Sequence, residues 1–335
     1  MAVPSPLSAL GAAVEDALRA PSVHNTQPWR WRIGHGEIEL HADWNRQLPI
    51  TDPDRRDLLI SCGAALHHLQ VALAARGLAA TVTRFPDPED TGHLATVGIG
   101  PGAVDDTLGA LHPALHLRRT DRRRFAQQPP GAADLAALTE LGRRPGVVLV
   151  PVRDRGLDRL AGVLAEAARR QGSFPGYAAE VQHWTHRYAA GHDGVPASNV
   201  AAATPALHGG LPLRGFGRAQ LAQPPQPLGG GAREDGAVAL VLATPGDDPI
   251  DALVAGEAAS AVLLAATVAG LATTPLSQGL EVESSRRELQ YDVLHLPEFP
   301  QLIIRVGLPA SGAAELPPSP RRPLRSVLMP HSEPP

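Results

Sequence analysis

The chain has 335 residues, enough to bury a large core as one big domain or two of ordinary size. A net charge of -4 and a pI near 6.4 give it no overall attraction for nucleic acid or an anionic membrane surface. All 30 basic residues are arginine, which excludes a Schiff-base lysine, a phosphate-loop lysine and a Ser-Lys hydrolase; the one cysteine, Cys62, excludes an internal disulfide framework and a cysteine metal cluster.

In chain order, residues 1–10 lack the charged start and long apolar run of a signal peptide, so a cytoplasmic protein is expected. Leu7, Leu10, Val14 and Leu18 recur at intervals of three and four, predicting an amphipathic helix over residues 6–19. It leads into Ala-Pro-Ser-Val-His-Asn-Thr-Gln-Pro-Trp, residues 20–29, where two prolines forbid a helix and Ser22, Asn25, Thr26 and Gln27 gather as hydrogen-bonding groups. On local chemistry this is a turn feeding an edge strand, because Trp29 and Trp31 alternate with Arg30 and Arg32. Residues 37–42 alternate likewise after the Gly34–Gly36 turn, which predicts a hairpin. Asp52-Pro53 then opens a helix whose apolar stripe is Leu59, Cys62, Leu66, Leu69 and Leu73, ended by Gly77. His67 and His68 lie beside the stripe, and neighbours on a helix point different ways, so a structural role is expected of them.

This unit recurs. At an offset of 193, Gly63, Ala65, Ala72, Gly77, Leu78, Ala79 and Thr81 fall on Gly256, Ala258, Ala265, Gly270, Leu271, Ala272 and Thr274. Both copies begin near Asp-Pro, at Asp52 and Asp248, and both lead to a strand ending Val-Gly. The period is too long for a solenoid and suits two fused lobes facing one another as subunits face across a two-fold axis. The boundaries expected are 1–112 and 113–330. The second helix, residues 252–272, is long and apolar enough to resemble a membrane span. Its alanines, Gly256 and Glu257 indicate instead a buried helix at the contact between lobes.

Between the lobes stands Leu117-Arg118-Arg119-Thr120-Asp121-Arg122-Arg123-Arg124-Phe125, with five arginines in seven residues. Such a run is either a solvated charge cluster or a seat for an anion, with forked donors and the Thr120 hydroxyl aimed at a phosphate. Helices follow near residues 135–141 and 157–170, with a strand at 147–152 between them. From 171 to 234 the pattern fails, apart from one helix around 177–188. A long stretch of this kind inside a compact domain reads as a cover or mobile loop, and one of His183, Trp184 and His186 is expected to face the site from it. The chain closes with Pro275-Leu276-Ser277-Gln278, a helix at 283–289, a strand at 302–306 and Arg321-Arg322-Pro323-Leu324, a Pro-rich arm.

Two of these motifs carry a resemblance. A-P-S-x-x-N-x-Q-P-W resembles the signature loop of the FMN-dependent nitroreductases, which implies flavin contacts from Pro21, Ser22, Asn25 and Gln27. R-R-T-x-R followed by Phe is similar to that family's opening motif, implying phosphate and flavin contacts from Arg118, Arg119, Thr120 and Arg122. The resemblance further implies that the segment Pro275, Leu276, Ser277 and Gln278 presents backbone N–H groups toward the flavin N5 edge, and that Arg321 and Arg322 make a last phosphate contact. The family's fold is α+β, sheets flanked by helices, and its dimer shares each of two flavin sites between subunits. One loop and one arginine motif in this chain imply one complete site, in a monomer acting as a pseudo-dimer.

Asp52-Pro53-x-Arg55-Arg56 and Ser61-Cys62-Gly63-Ala64-Ala65-Leu66 resemble the Acg branch, found in actinobacteria, in which the flavin lies beneath a lid and nicotinamide cofactors reduce it poorly. Two functions follow as expectations. The first is transfer of two electrons from NAD(P)H through FMN to a nitroaromatic or quinone-like small molecule, with no side chain acting as acid or base at the ring and Arg122 offsetting negative charge. The second is an FMN-holding protein with little turnover. A metal-dependent hydrolase using His183 and His186 is a third class, and no H-E-x-x-H, G-x-S-x-G or G-x-G-x-x-G run supports it.

Overall fold

A computed structural model describes residues 6–142, 146–185, 191–202, 210–217, 219–225 and 235–330. Helix α1 (Pro6–Ala17) delivers the chain through a tight loop to the hairpin β1 (Trp29–Ile33) and β2 (Glu37–Ala42). Trp29 and Trp31 are fully buried, and Ile38 and Leu40 sit beside them on the inner face. Helix α2 (Arg56–Ala74), β3 (Ala80–Arg84) and β4 (His93–Ile99) complete an antiparallel sheet of order β1-β2-β4-β3. The α2 helix starts three residues after the expected Asp-Pro, yet Asp52 still caps it. The Asp52 carboxylate accepts from Asp57 N (3.0 Å) and Leu58 N (2.8 Å), donors that would otherwise have no partner in the first turn.

Short helices α3 (Asp106–Gly109) and α4 (His112–Leu117) lead across to α5 (Ala132–Gly142), β5 (Val148–Val152), α6 (Asp154–Gly172) and α7 (Tyr177–Thr185). Then come β6 (Val238–Thr244), α8 (Pro249–Val268), β7 (Ala272–Leu276), α9 (Glu283–Glu288), which runs into a π turn, and β8 (Phe299–Gly307). The second sheet has the order β5-β6-β8-β7 and is antiparallel throughout. Each sheet thus places a long central helix between its second and third strands, α2 in the first and α8 in the second, with its last two strands exchanged in space. The fold is α+β, two four-stranded sheets flanked by helices.

Helices α2 and α8 cross at the centre of the main core. Both are long and apolar enough to cross a bilayer, and both are largely buried against protein. Glu257, fully buried on α8, accepts from Arg84 Nε (2.8 Å), Arg84 Nη2 (3.0 Å) and Gln70 Nε2 (2.7 Å), so its charge is matched across the crossing. His67 and His68 do not diverge as adjacency on a helix suggests. Both Nδ1 atoms lie within hydrogen-bonding distance of Ser260 Oγ, at 2.8 and 2.9 Å. The C-terminal arm is more than a surface strap: Trp31 N donates to Val327 O (2.8 Å) and Met329 N to Trp31 O (2.7 Å), which adds it to the free edge of β1.

Candidate functional site

A cavity of about 980 Å³, measured to its open mouth, lies where the two sheets' connections meet. Three stretches from distant parts of the sequence build its wall. The first is the loop before β1, which contributes Pro21, Ser22, Val23 and His24. That loop carries three left-handed non-glycine residues in four positions: His24 (φ 46°), Asn25 (φ 54°) and Gln27 (φ 52°). Such backbone persists only where its surroundings over-determine it. Here Ser61 Oγ, on α2, accepts from Val23 N (3.0 Å), and Ser22 Oγ accepts from Gln27 N (2.9 Å).

The second stretch is the arginine motif. Asp121 N donates to Thr273 O (2.9 Å) and Thr274 Oγ1 donates to Asp121 O (2.6 Å), so Thr120 and Arg122 are laid alongside β7. The third is the end of β7 itself, where Pro275, Leu276, Ser277 and Gln278 all face the cavity. Ile60 and Ala64 of α2 with Ala259 and Leu263 of α8 form an apolar floor.

The remaining residues singled out from the sequence lie off the cavity wall. Asn25 Nδ2 donates to Gly194 O (2.9 Å) and Pro320 O (3.1 Å), while its Oδ1 accepts from Arg321 Nη1 (2.9 Å). Gln27 Nε2 donates to His192 O (2.8 Å), and Gln27 Oε1 accepts from Arg322 N (2.8 Å). Arg322 spends its guanidinium on Gln27 O, Asp43 and Ser326 O, which makes it a clamp for the tail.

Arg118, Arg119 and Arg321 form a cationic cluster next to His68, one turn along α2 from Ala64 of the cavity floor. Arg118 is buried with Nε and Nη1 unpartnered among the described residues, and burial beside Arg119 lowers its pKa to about 10. Burial and the neighbouring Arg118, Arg19 and Arg119 lower Arg321 to about 9, and its Nε is likewise unpartnered. Arg119 holds the turn in place through His116 O and Leu316 O.

Within residues 171–234, expected from the sequence to act as a cover, no pattern singles out which residues line the cavity. Pro212, Leu213, Arg214 and Phe216 line the cavity from within the irregular segment, whereas His183 and Trp184 do not; His186 lies outside the described residues. Phe216 meets His24 edge-on at 5.5 Å between centroids, and the Arg122 guanidinium sits 4.8 Å from the Phe216 ring. Buried Arg214 pairs with Glu281 and donates to Tyr177 Oη (2.8 Å), which fastens this stretch to the segment after β7.

Burial and Arg214 push His24 down to about 3, so its imidazole is neutral, and neither ring nitrogen has a hydrogen-bond partner. Burial and Arg214 also lower Arg122, to about 10. Two further groups of potential metal ligands, Asp16–His112–His116 and Glu39–His41–His93, lie off this cavity, and each carboxylate already takes an arginine.

No protein-family model matches the sequence. Among individual proteins, the chain is 43% identical over 312 residues to the Mycobacterium tuberculosis protein named "Putative NAD(P)H nitroreductase Rv3131", covering 93% of this chain and 88% of that one. It is 36% identical over 327 residues to a second protein of that organism, named in the same way as Acg, covering 94% of each. A looser likeness is to the crystal structure of the FMN-dependent nitroreductase NfnB from Mycobacterium smegmatis in complex with NADPH, at 18% identity and a TM-score of 0.42 over 68% of this chain and all of that one. With two relatives above a third identical along nearly their whole length, the chain belongs to the NAD(P)H nitroreductase family and stands alongside Acg within it.

Proposed function

We propose that the cavity holds FMN and that the protein is an FMN-dependent oxidoreductase, taking electrons from NAD(P)H and passing two at a time to nitroaromatic or quinone-like acceptors. The observation that carries this reading is the buried guanidinium of Arg118, with two unpartnered donors, beside Arg119 and Arg321. Buried like charges repel one another unless an anion offsets them, and a phosphate monoester does so with acceptor oxygens that match forked donors. The apolar floor of Ile60, Ala64, Ala259 and Leu263 suits a flat ring system. From Asp57 at the far end of the cavity to His68 beside the arginines, α2 rises about 16 Å, a span that accommodates a phosphate at one end and a ring at the other.

Bound there, FMN would supply the two-electron chemistry that side chains lack. Arg118, Arg119 and Arg321 would hold its phosphate, while Arg322 and Gln27 keep the tail against the loop. Arg122 presents a fixed positive charge to the cavity and offsets negative charge that develops within it. Phe216 and His24 close one side and exclude water. We read residues 1–112 and 113–330 as two related lobes, with 171–234 as the cover, in a cytoplasmic monomer whose single site mimics that of a dimer.

The second reading is FMN sequestration without turnover. It is favoured by the buried Arg214–Glu281 pair and the Phe216–His24 contact, which hold the cover closed against a nicotinamide reductant. One measurement decides. Purified protein that is yellow and bleaches anaerobically with NADPH or NADH supports the reductase; yellow protein that does not bleach supports sequestration. Colourless protein that cannot be reconstituted with FMN overturns both.

A further inference from the structure

A second recess, open to solvent and of about 1030 Å³, lies behind the wall of the cavity at the N-terminal ends of α2 and α8. Asp52, Asp54, Asp247, Asp248 and Glu283 make it acidic. The wall between the two is thin and polar. Asp57 lines the inner cavity, and its Oδ2 is buried without a hydrogen-bond partner among the described residues. Glu281 lines the outer recess. Ser277 stands between them: its Oγ donates to Glu281 Oε1 at 2.6 Å, and Glu281, paired with Arg214, is held as a carboxylate. Asp52, on the outer side, accepts from the backbone N–H of Asp57.

We propose that Asp57 is the proton donor of the reaction assigned above, recharged from the side of the outer recess, where Asp52 lies against it. The inference rests on that reading. The walls around Asp57 keep bulk water from most of the acceptor's surface, and an acceptor reduced by two electrons needs a proton as well. Bound FMN would supply the acceptor with a hydride drawn from NAD(P)H, and Asp57 supplies the proton. With a quinone, hydride and proton together complete the hydroquinone. The O–H bond of Asp57 breaks as an O–H bond forms on the acceptor, and the carboxylate left behind regains its proton from water in the recess.

The charges around Asp57 suit this task. Arg56 Nη2 donates to its Oδ1 (3.0 Å), Asp52 and Glu281 bear on it as like charges, and Arg214 faces it from the cover; His24 and Arg122 share its cavity. Burial outweighs the two arginines and raises Asp57 to about 6, and burial with Asp57 nearby raises Asp52 to about 7. A carboxyl in that range gives and regains a proton near neutral pH.

The test compares two acceptors in FMN-reconstituted protein: a quinone, which needs a proton, and ferricyanide, which takes electrons alone. In Asp57→Asn the ratio of quinone rate to ferricyanide rate falls about 100-fold, the size expected for a lost general acid. Asp57→Glu restores part of that ratio. In cofactor-free protein, infrared titration shows a protonated-carboxyl band that disappears as pH rises through neutrality and is weaker by one group in Asp57→Asn. Equal loss with both acceptors, or an unchanged band, overturns the proposal. Wild-type protein that retains no FMN sinks this inference and the reading beneath it together; wild-type that turns over, with Asp57→Asn behaving alike toward both acceptors, sinks this inference alone.

Discussion

Gly63 and Gly256 meet back to back where α2 crosses α8. A Cβ on Gly63 would lie 1.9 Å from Leu253 O, and one on Gly256 would lie 2.0 Å from Ile60 O. The offset that aligns the two helices in sequence maps one glycine onto the other, and the fold sets those equivalent positions in contact, as a two-fold axis does in a dimer. His67 and Ser260 share the same offset and are hydrogen-bonded. Both obstructing atoms are helix backbone, so neither helix can accept even a methyl group without moving. Gly63→Ala and Gly256→Ala are each expected to destabilise the protein by about 3 kcal/mol, toward the upper end for overpacking. Equilibrium denaturation measures this, and an unchanged midpoint would show that the crossing is looser than described.

That crossing was legible in the sequence because small residues at matched positions in two apolar helices leave a pattern. So was the hairpin, from the alternation around Trp29, Trp31, Ile38 and Leu40. The arginine motif and the segment after β7 were each readable, but the backbone bonds joining Asp121 to Thr273 and Thr274 carry no local signature. Arg214 and Phe216 sit in a stretch without periodicity, where nothing separates a wall residue from a surface one. His24 was hidden differently. It occupies a position inside the signature loop that the resemblance leaves unspecified, and only the left-handed backbone aims it inward. Asp57 reads in sequence as an ordinary acid in the first turn of a helix, complementing its dipole.

The arginine cluster separates two roles that the sequence merged. Arg118→Ala is expected to weaken FMN retention by about 100-fold, the loss of a charge-assisted contact to phosphate. Arg322→Ala has a different signature, because its guanidinium is bonded to Gln27 O, Asp43 and Ser326 O. It should lower thermal stability more than it lowers affinity in protein that stays folded. Flavin release followed by fluorescence, together with a melting curve, distinguishes the two. Equal flavin loss from both variants would return Arg322 to the phosphate.

His24 ties stability to pH. Its folded pKa is depressed to about 3, against an ordinary value of 6.5. Below that ordinary value the unfolded chain binds a proton that the folded chain refuses. The stability this neutral imidazole secures is therefore complete above about pH 6.5 and is lost as pH falls toward about 3, at up to about 1.4 kcal/mol per unit. Asp52 and Asp57 act in the opposite sense: raised to about 7 and 6, they favour folding increasingly as pH falls toward their ordinary 3.8. His24→Gln removes the first contribution and keeps the second. Urea unfolding across the acid range should show a shallower loss of stability in the variant, and parallel curves would mean that His24 accepts its proton while folded.

The cover offers a direct choice between turnover and storage. Phe216 touches His24 and lies under Arg122, whereas Arg214 holds the same segment through Glu281 and Tyr177. Removing Arg214 would leave Glu281 buried without its partner, at a cost of about 3–5 kcal/mol, and so would confuse opening with unfolding. Phe216→Ala avoids that, because it deletes an apolar contact from a wall and leaves the ion pair intact. If the closed cover limits access, the variant should bleach with NADPH at least about 10-fold faster than wild type and release flavin faster as well, a change of about 1.4 kcal/mol in either barrier. Stopped-flow absorbance under nitrogen reads both rates. Faster flavin release without faster bleaching would place the obstacle to reduction in the seat itself, and would favour a protein that stores its flavin over one that uses it.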